Sequence, residues 1–157
     1  MKLSEEITHF FNKQSFIIVS TVDSRGNIHN SCKGLIQINK NGSVYLLDLY
    51  KKNTYQNLLR NKNVSLSAVN EYSFEGYCLE GKAYIVDIKG LKKDVVKSWE
   101  DRLATRITQR VLNNIQGKKG HSLHPEALLP LPEYLIFVKV KKIVNLTPAN
   151  LVDARSR

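Results

Sequence analysis

The chain has 157 residues, 42% of them hydrophobic and 24% charged, which suits a single domain over residues 1–157 with a real core and would leave two domains cramped. With 24 Lys+Arg against 14 Asp+Glu the formal charge is +10, which favours anionic partners, phosphorylated small molecules or nucleic acid, without choosing between them. No window approaches ~18 consecutive apolar residues, and "MKLSEEITHFF" carries acids where a signal peptide would be apolar, so neither a membrane span nor a targeting segment is expected. Cys32 and Cys78 are too few and too far apart for a disulfide scaffold, and no CxxC or His/Cys spacing offers a metal site. A reducing, cytoplasmic setting is the expectation.

In chain order, residues 4–12 carry Ile7, Phe10 and Phe11 at helical spacing, with Ser4 as cap. "SFIIVSTV" reads as a strand, "DSRGN" as a turn and "IHNSCKGLIQI" as a second strand; "NKNG" then turns the chain into a third, "SVYLLDLY". Residues 16–50 thus form an antiparallel meander. A short helix follows, then "NVSLSAV" and "YCLEGKAYIV" as two more strands. Five short strands with one brief helix point to a small β-barrel rather than a parallel α/β sheet.

Between Gly90 and Gly117, Leu91, Val95, Trp99, Leu103, Ile107, Val111 and Ile115 recur every four residues. This predicts a long amphipathic helix whose stripe lies on the barrel or on a partner chain. Residues 117–132, rich in Gly, Pro and His, read as a long exposed loop able to cover a neighbouring site. His121 and His124 within it lack a third clustered ligand and read as loop residues. "YLIFVKVKKIVNLT" is a sixth strand that closes the sheet. The fold class is therefore mainly β with helices, a six-stranded antiparallel barrel with a long amphipathic helix.

The stretch "LYKKNTYQNLLRNKNVSL" raises a question of charge. Lys51 and Lys52 precede the helix start, at the pole where acidic residues are the usual choice. Asn53 reads as the cap, with Gln56 completing a variant capping box. The first-turn N–H groups, the Thr54 hydroxyl and the lysines together have the chemistry of a phosphate site, although two solvated lysines beside an ordinary cap would give the same pattern.

The order of the meander, the helix start "KNTYQNL", the strand start "NKNVSL" and the strand "GYCLEGKAYI" resembles the flavin-binding split barrels related to pyridoxamine 5′-phosphate oxidase. The likeness covers roughly residues 15–86, and the last strand is similar to the family's closing strand. It implies a split barrel that binds FMN at the interface of a homodimer. Carried over by position, Lys52 and Thr54 would hold the ribityl phosphate with Asn53 and Asn57 nearby. Asn30, Ser31, Cys32 and Lys33 would lie along the isoalloxazine ring, and Leu47, Asp48 and Leu49 would offer backbone groups to its edge. The third strand has no arginine, unlike the true oxidases, so the resemblance is to small flavin-binding members. These imply a flavin-dependent oxidoreductase with a small-molecule electron donor or acceptor, such as a nicotinamide.

No protein nucleophile need be visible, since the cofactor carries such chemistry. The alternatives are a noncatalytic flavin-storing protein and a basic β-barrel that binds nucleic acid. Against the latter, no aromatics interleave with the basic stripe Arg102, Arg106 and Arg110, extended by Lys93 and Lys97, which reads first as a solvated face and otherwise as a site for a substrate phosphate.

Overall fold

The computed structural model describes residues 1–14, 16–118 and 132–151. It opens with α1 (Glu5–Asn12), whose Ser4 hydroxyl accepts the Ile7 N–H at 3.2 Å while Glu5 and Glu6 stand at its positive pole. The spacing of Ile7, Phe10 and Phe11 turns all three into the core, where Phe10 meets Phe11 and Tyr77 edge-on at 5.5 and 5.1 Å.

Strands β1 (Ile17–Val22), β2 (Ile28–Ile38) and β3 (Ser43–Leu47) form the meander. After α2 (Asn53–Arg60) come β4 (Asn63–Val69), β5 (Gly76–Asp87), a single 3-10 turn at Ile88–Gly90, α3 (Lys93–Ile115) and β6 (Tyr134–Asn145). All pairings are antiparallel, and the order β1-β2-β3-β6-β5-β4, with β4 back on β1, closes a barrel. Closure leaves no edge, and alternate residues such as Ile17 and Val19, Val64 and Leu66, or Ile136 and Val138 fill the interior. The six-stranded antiparallel split barrel with its long helix is thus the observed architecture.

Two bulges shape it. Between Leu35 and Gln37 the β2–β3 register shifts, so that adjacent residues are both buried. Leu35 joins the barrel core, and Ile36 joins a second cluster outside it with Val95, Leu135, Leu91, Trp99, Tyr45 and Leu47. This cluster seats the first half of α3. In the second half the same stripe runs on without cover: Ile107, Val111 and Ile115 are exposed, with Leu112 beside them. At the other bulge, between Glu80 and Gly81, β5 and β6 approach so closely that a Cβ on Gly81 would lie 2.3 Å from the Lys139 carbonyl oxygen.

Two local expectations are corrected. The third strand ends at Leu47 rather than at Tyr50, because Asp48 turns its carboxylate inward and Lys51, at φ 44°, reverses the chain. Asn53 does not cap α2: it is the first helical residue, the cap position falls on Lys52, and no side chain caps the helix. The expected access loop with His121 and His124 falls largely on residues 119–131, outside the described residues.

Gly81→Ala should lower stability in urea by about 1–3 kcal/mol, since the new methyl meets backbone that only a shift of β6 can move. Unchanged urea midpoints would mean that the bulge has slack.

Candidate functional site

Along β2 the alternation separates two sets of residues. Ile28, Asn30 and Cys32 are exposed, whereas His29, Ser31 and Lys33 pair with Thr21, Val19 and Ile17 and share their inward face. The inward set is polar where a barrel wall is usually apolar. Its partners come from the chain around α2.

The centre is Asp48, 2% exposed. Its Oδ1 accepts from the Lys33 ammonium at 2.6 Å, and its Oδ2 from the Tyr134 hydroxyl at 2.6 Å. Burial, then the hydrogen bond to Asp48, pushes the Tyr134 hydroxyl's pKa well above its ordinary value. Lys51 adds a second tie to β6, pairing with Glu133 and lying 5.6 Å from the Tyr134 ring centre. The connection from β3 to α2 is therefore anchored at the start of β6.

At the helix start the Thr54 side chain is buried and its hydroxyl lies 2.8 Å from that of Ser31. One turn on, Asn57 donates to Thr21 Oγ1 at 3.0 Å and accepts from Arg60 at 2.8 Å. Lys52 and Asn53 are exposed at the rim, and the first turn holds no acid. Of the residues singled out in the sequence, Ser31, Thr54 and Asn57 thus bind α2 to the barrel, and Lys33 and Asp48 anchor the connection that leads to it. Asn30, Cys32, Lys52 and Asn53 face outward. Leu47 packs beneath α3, and Leu49 is half-buried.

The basic stripe is only partly a solvated face: Lys93 and Lys97 are exposed, but two of its arginines are not. Arg102 donates to Asn12 Oδ1 at 2.7 Å, and an Arg106 Nη1 lies 3.9 Å from where a Cβ on Gly34 would sit. Both are half-buried, and burial lowers the pKa of each, with the neighbouring Arg106 charge adding to the effect at Arg102. Arg106 therefore lies against β2 at Gly34, two residues from Cys32, and Arg102 stands one turn away at the end of α1.

Tyr134 escaped the sequence reading. The available signal was a pair of exceptions: one acid in the apolar run "SVYLLDLY" and one hydroxyl opening "YLIFVKV", each needing a partner if buried.

A closed antiparallel barrel with one short helix between its third and fourth strands and a long helix before its last is the split-barrel architecture. The family model described as pyridoxamine 5′-phosphate oxidase matches residues 3–129, and the chain belongs to that family. No curated protein matches the chain. Among solved structures, HupZ of Group A Streptococcus is similar at 18% identity and a TM-score of 0.63, with 92% of this chain and 94% of that one covered. A pyridoxamine 5′-phosphate oxidase homologue from Lactobacillus delbrueckii is similar at 17% identity and a TM-score of 0.62, covering 91% and 93%. HutZ, the heme storage protein of Vibrio cholerae, is similar at 19% identity and a TM-score of 0.55, covering 92% and 95%. At these identities the likeness is one of fold.

Tyr134→Phe should cost about 1.5–3 kcal/mol at pH 7, because Asp48 keeps its burial and loses one donor. Raising the pH above Tyr134's ordinary value of 10.0 should narrow the gap: there the unfolded wild type ionises while the folded hydroxyl keeps its proton, so the wild type loses stability that the variant lacks. Urea curves at pH 7 and above pH 10 check both parts; equal stability at pH 7 would leave the Tyr134 bond without weight.

Proposed function

We propose that the chain binds FMN as a homodimer and serves as a flavin-dependent oxidoreductase, with the cofactor phosphate at the start of α2. The observation that carries this reading is a helix start with no side-chain cap and no acid in its first turn, preceded by the exposed Lys52, while Lys51 beside it is paired with Glu133. Such an end directs N–H groups and positive potential outward, and a dianionic phosphate satisfies both. The donors suit the group. Lys52 and Asn53 stand exposed at the rim, the Thr54 hydroxyl lies just inside it, and the Ser31 hydroxyl fixes that of Thr54 from behind.

Beyond the phosphate, the outward row Asn30 and Cys32 offers an exposed strand face to the ring, with Arg106 to one side. Bound flavin supplies electron transfer between a reductant and an acceptor. The chain's own residues would bind it, orient it and hold positive charge beside it. The uncovered half of α3, with Ile107, Val111, Leu112 and Ile115, supports a second copy as the dimer partner. Since the similar HutZ is named for heme storage, the fold leaves the cofactor to be tested.

Titrations with FMN, riboflavin and heme test the reading. FMN should bind more tightly than riboflavin, and Lys52→Ala with Thr54→Ala should remove most of that preference, each charge-assisted bond being worth about 1.5–3 kcal/mol. Equal affinity for FMN and riboflavin would put the phosphate elsewhere, and tight binding of heme alone would replace the flavin. Sedimentation should show a dimer that FMN strengthens by mass action. A monomer at micromolar concentration with FMN present would contradict the dimer.

A further inference from the structure

Beside the segment that follows α2, three aromatic rings stand side by side on the outer face of neighbouring strands. Tyr45 of β3 pairs with Phe137 of β6, which pairs with Tyr84 of β5. Their ring centres are 5.1 and 6.1 Å apart with interplanar angles of 40° and 30°, so the rings form a continuous row, each tilted against the next. Tyr84 is 41% exposed and the other two are half-buried. Cross-strand stacking alone explains why such rings adjoin. It does not explain the charge around them.

Lys62 lies over Tyr84, 4.8 Å from the ring centre. One row further along the same face, Lys139 stands opposite Lys82. Beyond that row the surface deepens into a groove of about 420 Å³ whose lining includes Ser65, Glu80, Lys82, Lys141 and Lys142. Two of these lysines have local partners: Lys82 donates to Asn63 Oδ1 at 2.6 Å, and Lys142 lies 3.3 Å from a Glu80 oxygen. Asp94 also acts electrostatically on Tyr45 at the end of the strip. Lysines still exceed acids, on a chain whose formal charge is +10.

We propose that this face binds single-stranded nucleic acid, with bases stacked on Tyr84 and Phe137 and phosphates along Lys62, Lys139, Lys82 and Lys141. A partly exposed ring such as Tyr84 accepts any base, and flanking ammonium groups track a backbone. A duplex fits less well, because its bases are not free to stack. This inference is independent of the flavin reading, since it shares none of those residues.

The probe is a fluorescein-labelled deoxythymidine decamer, followed by anisotropy on the full chain over a range of salt concentrations. Binding should weaken with salt, and Tyr84→Leu, which keeps apolar bulk on an exposed site, should reduce affinity at least about fivefold at unchanged salt slope. Lys139→Gln should instead flatten the slope, by about 0.7 for one lost phosphate contact. Absence of binding, or a Tyr84→Leu protein that binds as the wild type does, would overturn the proposal and leave the strip a sheet-stabilising feature. So would a Tyr84→Leu protein whose sedimentation shows a lost dimer, which would assign the face to a second copy.

Discussion

The Asp48 carboxylate, shared between the Lys33 ammonium and the Tyr134 hydroxyl, is the interaction on which the candidate site depends. Burying a charge pair costs desolvation that its attraction only partly offsets, so its net contribution to stability is small. Breaking it is another matter, because each lost partner leaves a buried polar group unmet. The knot therefore specifies geometry more than it adds stability. It joins β2, the end of β3 and the start of β6, and the chain leaving it has few ways to reach α2.

That short path accounts for the conformation of Lys51. A non-glycine residue at φ 44° costs on the order of 1 kcal/mol or more, and it persists where neighbouring contacts hold it. Here the contacts are Glu133 and the Tyr134 ring. The strained turn delivers α2 with its first-turn N–H groups at the rim and the Thr54 hydroxyl locked to Ser31. Lysine at the positive pole is unfavourable for the isolated helix and favourable once an anion arrives. The proposed phosphate and the strained turn thus belong to one electrostatic arrangement.

Much of the barrel was legible in the sequence because strand period and turn residues are local signals. The second and fourth strands begin and end where their alternation does, and Gly26 and Gly42, at φ +86° and +80°, mark the turns on either side of the second. What escaped was non-local. The end of β3 depends on Lys33 and Tyr134, fifteen and eighty-six residues from Asp48. The aborted cap at Asn53 depends on that turn as well, since Lys52 takes the cap position when the chain arrives this way. Arg102 and Arg106 looked like a solvated stripe because helical spacing says which residues share a face and not what that face meets. The aromatic strip was hidden for the same reason: Tyr45, Tyr84 and Phe137 come from three strands and meet only through sheet register.

The central claim is that an anchored, uncapped helix start receives a phosphate. Amide proton–nitrogen correlation spectra recorded during separate titrations with FMN and with riboflavin address it at single-residue resolution. The account predicts that the Asn53, Thr54 and Tyr55 amides shift strongly with FMN and much less with riboflavin, which lacks the phosphate. Bound FMN that leaves these three amides unmoved would contradict it.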